Sequence, residues 1–278
     1  MMPSRLDLHV HTRCSDGELS PEETVQRAAS LGLHTIAITD HDTLAGVPPA
    51  IDASRYLGLE CMTGVEVSCE LAEGEAHFLG YFVQTRQETP LSRTLARFRA
   101  SRLERAQLIV ERLARLGLPL EWSDLEALSH GESIGRPHVA QEMVRRGYVQ
   151  TVAEAFERYL HRNGPAYIPR LKVAPEEAIE LIHDAGGVAV LAHPLGIMDV
   201  VGWLAGKGLD GLEAYYPGYS AEVSGQITAV AQRYGMIVTG GSDYHGPTVS
   251  PGIEIGSVDI PEEVLATLLG RRLVLHGA

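Results

Sequence analysis

The chain has 278 residues, of which 45% are hydrophobic and 21% charged, and its formal net charge at pH 7 is −13. This composition fits one large or two ordinary globular domains and excludes a disordered chain, and no stretch approaches the ~20 apolar residues of a membrane span. The start MMPSRLDLHVH lacks a basic segment followed by an apolar one, so we expect a cytoplasmic protein that binds no membrane.

The N-terminal 85 residues predict alternating strands and helices. Four strands are expected over residues 5–10, 34–39, 59–67 and 76–83. In SPEETVQRAASLG, Ser20 can cap a helix, Glu23 completes a capping box and Gly32 ends the helix. The segment TLAGVPPAIDASRYLG predicts a second helix, with Pro48 and Pro49 near its start.

The C-terminal part repeats this alternation. PEEAIELIHDAGG predicts a helix, and VAVLAHP, LDGLEAYYP and MIVTGGSDYH predict three more strands. Strands that alternate with helices indicate a largely parallel sheet or barrel, so the fold class is α/β.

The segment between these parts, residues 86–172, predicts only helices. It holds 15 basic and 10 acidic residues, a net charge of +5, and leaves −18 for the rest of the chain. Five arginines lie on its first predicted helix: Arg93, Arg97, Arg99, Arg102 and Arg105. We interpret them as a solvated face in preference to an RNA-binding one.

Nine potential metal ligands lie at or near the ends of the predicted strands: His9, His11, Asp16, His41, Glu66, His77, His193, Asp243 and His245. His9 and His11 are two residues apart, so they point to the same face of their strand. The carboxyl ends of barrel strands are where such folds build a site. Nine nitrogen and oxygen donors exceed the needs of one ion and predict two or three divalent metals, and because no cysteine is among them, Mn²⁺, Fe²⁺ and Zn²⁺ are all possible.

Other residues allow simpler interpretations. The alternative to a metal cluster is a set of buried, hydrogen-bonded histidines that bind no metal. Asp40 and Asp42 could orient metal ligands, although capping of the next helix by Asp42 or Thr43 is the preferred interpretation. The three cysteines show no CxxC spacing, so neither a disulfide framework nor a thiolate zinc site is expected.

Six segments together, DLHVHTRCSDG, AITDHDTLAG, GVEVS, HFLGY, AHP and GSDYHG, resemble the polymerase and histidinol phosphatase (PHP) family of metal-dependent phosphoesterases. The resemblance runs from end to end and is greatest to a stand-alone subgroup that hydrolyses nucleoside 3′,5′-bisphosphates and degrades short RNA from its 5′ end. It implies a distorted (β/α)₇ barrel made of residues 1–85 and 173–278. It also implies that residues 86–172 form an all-helical insertion that serves as a substrate cap.

The resemblance implies a division of the ligands among three metals. His9, His11, Glu66 and Asp243 would hold the first; Glu66, bridging, with His77 and His193 the second; and Asp16, His41 and His245 the third. A metal-bridging water would be the nucleophile, and no residue is identified as general acid.

Substrate contacts are expected from the insertion. The segment SIGRPHVA resembles the phosphate-binding segment of the subgroup, which assigns Arg136 and His138 to the substrate phosphate; an ordinary helix start is the alternative. Lys172 is a further phosphate candidate, equally well explained as a solvated linker charge. The tyrosines Tyr215, Tyr216 and Tyr219 could stack on a base or close a barrel rim.

We therefore expect a phosphoric ester hydrolase that acts on a 3′,5′-bisphosphonucleoside, on short 5′-phosphorylated oligoribonucleotides, or on both. The alternatives are a histidinol phosphate phosphatase and, from another class, a non-catalytic PHP binding module. Metals and the basic insertion would attract a small anion, while the acidic remainder repels long nucleic acid. The expected partner is a small nucleotide or a short RNA 5′ end, and the sequence indicates no protein partner.

Overall fold

The computed structural model describes residues 6–71, 74–85, 87–129, 134–169 and 171–277. These residues form two compact units. Unit 1 comprises the described residues of Met1–Leu95 and Lys172–Ala278, and unit 2 comprises those of Ala96–Leu171. The sequence places the change from mixed to helical structure at residue 86, ten residues earlier, because the first helix of the helical segment begins within unit 1.

One sheet organises unit 1. Its strands in chain order are β1 (Leu6–Val10), β2 (Thr35–Ile38), β3 (Glu60–Glu70), β4 (Glu75–Tyr81), β5 (Val188–Leu191), β6 (Gly211–Tyr215) and β7 (Ile237–Gly240). They lie side by side in that same order. The sheet curls, and a parallel bridge between Val10 and Tyr244 joins its first strand to the segment after its last.

Strand β4 departs from the largely parallel arrangement that the sequence predicts. It pairs antiparallel with both β3 and β5, whereas the other neighbouring strands are parallel. Only four residues separate the end of β3 at Glu70 from the start of β4 at Glu75, and the two strands pair antiparallel. The first residues of β4 therefore lie at the edge where the parallel strands end.

The helices in chain order are α1 (Pro21–Ser30), α2 (Val47–Ser54), α3 (Pro90–Arg115), α4 (Trp122–Ser129), α5 (Arg136–Arg145), α6 (Val152–Ala155), α7 (Pro175–Asp184), α8 (Val201–Ala205), α9 (Ala221–Arg233) and α10 (Glu263–His276). A π-helical turn follows α6 at Phe156–Leu160, and a 3₁₀ helix precedes α8 at Pro194–Val200. None of the helices in the described part of the chain is long and apolar enough to cross a membrane.

The capping prediction for α1 is confirmed. The Ser20 hydroxyl accepts a hydrogen bond from the Glu23 backbone, and the Glu23 carboxylate accepts one from the Ser20 backbone. Helix α2 starts only at Val47, with prolines in its first turn, because proline lacks the amide that an interior turn needs. The capping interpretation of Asp42 and Thr43 is therefore wrong.

Apolar side chains on both sides of the sheet form the core of unit 1. On one side, Leu8, Leu79 and Val190 are completely buried together with residues of α10. On the other, Val10 and Ile38 pack beneath α1 and α2. The strands are apolar on both faces because other parts of unit 1 cover both faces of the sheet. The polar side chains buried among these apolar residues therefore need an explanation.

Unit 2 has a separate core, in which Ile109, Leu113, Leu125 and Met143 are completely or almost completely buried. The solvated interpretation of the α3 arginines holds for Arg93, Arg97 and Arg99, which are exposed. It is wrong for Arg102 and Arg105, which are half-buried; Arg105 donates a hydrogen bond to the Ile168 carbonyl. Within the segment predicted to contain only helices, Val152–Ala155 is a short α-helix followed by the π-helical turn at Phe156–Leu160.

Candidate metal centre

The nine sequence-predicted ligands all lie at one edge of the sheet in unit 1. Most of them lie in or just after parallel strands, whose carboxyl ends share that edge. His9 lies in β1, His41 comes just after β2, and His193 comes just after β5. His77 lies near the start of its strand, yet it reaches the same edge because β4 runs in the opposite direction. The reversal of β4 thus explains why His77 lies at the start of its strand, whereas most of the other ligands lie at or after strand ends.

The first group of donors has a nearly regular geometry. The Nε2 atoms of His9 and His11 lie 3.0 Å apart, and each lies 3.1–3.2 Å from Glu66 Oε2 and from Asp243 Oδ1. Zinc–nitrogen bonds of about 2.0–2.1 Å in a tetrahedron place ligand atoms about 3.3 Å apart. Four donor atoms at these separations match the set that one divalent ion requires, and they coincide with the first predicted ligand set.

The second group shares Glu66 through its other oxygen. Glu66 Oε1 lies 3.1 Å from His77 Nδ1 and 3.3 Å from His193 Nε2, and these two nitrogens are 3.3 Å apart. His41 Nδ1 is also 3.0 Å from Glu66 Oε2. One buried carboxylate therefore contacts imidazoles from four different strand ends.

The third group is wider and closer to solvent. Asp16 Oδ1 lies 3.3 Å from His245 Nε2, and Asp16 Oδ2 lies 3.8 Å from His41 Nε2. Asp16 is 54% exposed, whereas Glu66 is buried. His11 joins this group through Nδ1, 3.8 Å from Asp16 Oδ1, which the predicted division did not include. All nine predicted ligands are thus brought together in three adjoining sets.

Close backbone packing holds the donors in place. Asp243 and His193 both have positive φ angles, 51° and 31°, a strained conformation for residues other than glycine. A Cβ atom on Gly241 would lie 2.2 Å from the Cβ of His9, so only glycine lets β1 and the segment after β7 approach this closely.

Buried carboxylates behind the ligands fix their orientation. Asp40 accepts hydrogen bonds from the Thr12 backbone and hydroxyl, each at 2.7 Å, and from the Ser15 hydroxyl at 2.8 Å, which anchors the loop after His11. Its role in orienting the metal ligands stays a prediction. Asp42 accepts from the Ser68 backbone at 2.8 Å instead of capping a helix.

Two further buried carboxylates, Asp7 and Glu213, were missed at the sequence level. Asp7 accepts backbone hydrogen bonds from Ser242 and Gly256, each at 2.8 Å. Glu213 lies 2.9 Å from His9 Nδ1 and accepts a hydrogen bond from the His193 backbone. The available signal was an acidic residue inside each apolar strand segment, LDLHV and GLEAY.

Similarities in sequence and structure to known proteins are consistent with a metal centre at this site. The PHP domain model matches residues 7–161, and the 5′-3′ exoribonuclease Rnm of Escherichia coli K12 is 36% identical over 90% of this chain and 87% of its own length. The chain belongs to the PHP domain family. The family and its relatives make it a metal-dependent phosphoric ester hydrolase.

Further PHP relatives cover nearly the same length. The 3′,5′-nucleoside bisphosphate phosphatase of Chromobacterium violaceum is 32% identical over 88% of both chains. A structure from Bifidobacterium adolescentis, described as a metal-dependent phosphoesterase, has a TM-score of 0.82 at 34% identity and covers 96% of each chain. A Chromobacterium violaceum amidohydrolase structure with bound sulfate and no metal has a TM-score of 0.80 at 30% identity, covering 96% of this chain and 97% of its own.

The electrostatics of the PHP site favour cations. Burial opposes protonation of His11, but hydrogen bonds to Asp243 and Glu66 outweigh it and raise the His11 pKa to about 10. Burial likewise opposes protonation of His9, and its neighbours Glu213, Asp243 and Glu66 raise the His9 pKa well above its usual value. His41 behaves oppositely, because burial lowers its pKa to about 4. Without metal, the neighbouring carboxylates therefore favour protonation of His9 and His11.

Metal binding is expected to release protons. Because the folded pKa of His11 lies above its unfolded value of about 6.5, its pairing stabilises the metal-free fold fully below that pH and loses this effect as pH rises through about 10. Mn²⁺ must displace these protons, so its affinity should increase from pH 6 to pH 9. Calorimetry in two buffers of different ionisation enthalpy should show about two protons released per chain at pH 7.5. A buffer-independent heat would contradict the prediction.

The structure places the predicted substrate residues outside the three donor groups. In unit 2, Arg136 begins α5, donates a hydrogen bond to the Leu160 carbonyl at 3.2 Å and lies 5.6 Å from the Phe156 ring centre. His138 Nδ1 accepts the Gly135 amide at 3.1 Å, which leaves Nε2 as the protonated nitrogen of the neutral ring.

Lys172 in unit 1 is 5% exposed and lies 2.5 Å from Glu75 Oε1, so the solvated-linker interpretation is wrong. Glu75 is two residues before His77 on β4, on the same strand face. Of the three tyrosines, Tyr216 joins the site, because its hydroxyl donates to Asp243 Oδ2 at 2.8 Å and its ring lies 5.6 Å from that of His193.

Proposed function

We propose that this PHP enzyme removes the 3′-phosphate from nucleoside 3′,5′-bisphosphates, cleaves short 5′-phosphorylated oligoribonucleotides, or does both. The observation that carries the proposal is the pair of tight donor groups joined by the two oxygens of Glu66. The relatives named as a 5′-3′ exoribonuclease and as a 3′,5′-nucleoside bisphosphate phosphatase support this substrate class.

The donor set fits two or three divalent ions, with Mn²⁺ first and Fe²⁺ or Zn²⁺ as alternatives, since its imidazoles and carboxylates suit all three. His9, His11, Glu66 and Asp243 would hold one ion, Glu66 with His77 and His193 a second, and Asp16, His41 and His245 a third. When bound, such ions supply an activated water at neutral pH and neutralise the charge that builds up on the phosphoryl oxygens.

The chain's own residues prepare the site for this chemistry. The three acidic ligands place negative charge among the imidazoles, which would offset part of the charge of bound ions. The Tyr216 hydroxyl holds one oxygen of Asp243, which leaves the other facing His9 and His11. The narrow approach at Gly241 keeps His9 at a fixed distance from the segment that carries Asp243.

We also propose the finer assignments of fold and location. Residues 1–85 and 173–278 would form a distorted (β/α)₇ barrel, and residues 86–172 a helical insertion that binds substrate. Seven strands in sequential order and a separate core in residues 96–171 support this division. A cytoplasmic location stays a prediction.

The function is tested by one phosphate-release assay with Mn²⁺. We compare 3′,5′-bisphosphoadenosine, a 5′-phosphorylated trinucleotide and histidinol phosphate under identical conditions, and measure kcat/KM for each. The proposal expects one of the first two to exceed histidinol phosphate by at least about tenfold. Preference for histidinol phosphate, or no hydrolysis of any substrate with Mn²⁺, Fe²⁺ or Zn²⁺, would overturn it.

Phosphate binding by Arg136 is tested by its replacement with methionine. The guanidinium fork suits a phosphate, and its loss should lower kcat/KM for 3′,5′-bisphosphoadenosine by about 10²-fold, mostly through KM. Arg158→Met is the matched control, because Arg158 also lies over an aromatic ring of unit 2, that of Tyr159. Equal effects of the two variants would assign Arg136 a structural role. The same assay applied to His138→Ala and Lys172→Met tests the other two phosphate contacts.

A further inference from the structure

Glu213 is a buried carboxylate in the middle of the sheet that belongs to none of the three donor groups. It lies in β6 between β5 and β7, and its side chain is completely buried. An ionisable side chain in such a place is costly unless its oxygens are fully engaged. Its contacts therefore indicate what it does.

Both oxygens of Glu213 contact the metal centre from behind. Oε1 lies 2.9 Å from Nδ1 of His9, and Oε2 accepts a 2.8 Å hydrogen bond from the backbone amide of His193. His9 belongs to the first donor group, and the His193 ring contacts Glu66 in the second. One side chain thus connects both groups without entering either.

The contact with His9 decides which ring nitrogen can bind an ion. A carboxylate accepts hydrogen bonds but cannot donate them, so Nδ1 must carry a proton when it faces Glu213. The lone pair of the neutral ring is then on Nε2, the atom that faces Glu66 and Asp243 at 3.2 Å. The opposite tautomer would place a proton between these donors and block the ion.

The contact with His193 stabilises an unusual backbone. His193 has a φ angle of 31°, and its conformation turns the ring toward Glu66 and His77. A hydrogen bond at the amide of this residue offsets part of the strain of that conformation.

We propose that Glu213 is a positioning residue of the metal centre, which sets the tautomer of His9 and the backbone of His193 and so aligns the first two donor groups. This inference rests on the metal centre of the proposed function. A carboxylate is required because both contacts need an acceptor, and glutamine offers only one acceptor atom on a side chain of the same shape.

Asp210 provides a matched control at the other end of the same strand. It is also a buried carboxylate, and its Oδ2 lies 2.7 Å from His183 Nε2 and accepts the Ala189 amide at 2.9 Å. The two side chains therefore make the same pair of contacts. Each contacts one histidine ring and one backbone amide, which lies in β5 for Asp210 and just after β5 for Glu213. Only Glu213 makes them with metal ligands.

The test compares Glu213→Gln and Asp210→Asn with the wild type. We expect Glu213→Gln to bind Mn²⁺ about 10–100-fold more weakly and to lose at least one equivalent after gel filtration, as counted by elemental analysis. Its Co²⁺-loaded form should also show an altered visible spectrum. Asp210→Asn should keep the wild-type metal content and spectrum, even if its Tm falls by as much as that of Glu213→Gln.

Two outcomes overturn the inference. One is a Glu213→Gln variant with wild-type metal content and spectrum. The other comes from the wild type itself, so it does not depend on a variant that folds: nitrogen NMR of the Zn²⁺-loaded protein that shows His9 protonated at Nε2 instead of Nδ1. A wild type that binds no divalent metal would instead overturn the proposed function, which keeps the two failures distinguishable.

Discussion

Replacement of Glu66 by glutamine should abolish more of the activity than any other single substitution. Its two oxygens contact His9, His11 and His41 on one side and His77 and His193 on the other, all at 3.0–3.3 Å. The amide keeps the shape but loses the charge and one acceptor, so one group loses its shared oxygen ligand and the other keeps only a neutral one. We expect kcat to fall by about 10³-fold or more, because several kcal/mol of charge stabilisation depend on the ions held there.

Metal content provides the second measurement for this variant. Glu66→Gln should retain less than one equivalent of Mn²⁺ under conditions in which the wild type retains at least two. Glu60→Gln is the control, because Glu60 is an exposed carboxylate at the other end of the same strand. A Glu66→Gln variant that keeps two equivalents would show that the carboxylate is not shared between ions.

The second large effect is expected at Asp16. This carboxylate belongs only to the third group, where it lies 3.3 Å from His245 and 3.8 Å from His41. Asp16→Asn should therefore remove one ion and leave the first two groups intact. We expect kcat to fall by about 10²-fold, less than for Glu66→Gln, since the remaining ions still stabilise part of the developing charge.

Titration distinguishes the third group from the others. The wild type should bind its last equivalent of Mn²⁺ most weakly, because Asp16 is more than half exposed and its donors are further apart. Asp16→Asn should lose that weak step and keep the tighter ones. Asp52→Asn, on the exposed face of α2, serves as the control. Loss of the tight steps in Asp16→Asn would refute the division into three groups.

Most of the ligands could be predicted from the sequence because they lie in or just after a short apolar run, and the strand ends of a curled sheet lie close together. The division among ions came from the family resemblance and not from spacing. The direction of β4 relative to its neighbours was not predictable. Its antiparallel course depends on pairing with β5, whose residues lie more than 100 positions away in the sequence. His77 was predicted as a ligand from its residue type. Its position at the edge of the sheet that carries the other ligands follows only from the antiparallel pairing of β4 with β3 and β5.

Other features were hidden for different reasons. Glu213 is marked locally only as a single acidic residue in an apolar segment, and its partners His9 and His193 are distant in sequence, so its contacts with the metal centre were not predictable. Helices α9 and α10 were not predicted, although Ser220 does cap α9. The capping box and Gly32 predicted the start and end of α1, where local hydrogen bonds decide the outcome.

The first donor group joins residues from opposite ends of the chain, since His9 and Asp243 meet there. An ion bound to both acts as a removable crosslink that closes a loop of more than 200 residues. Only a chain that has finished its last strand can hold this ion, so truncated or half-folded molecules are left without it. Metal retention thereby reports completed folding, and chelation should make unfolding faster as well as stopping hydrolysis.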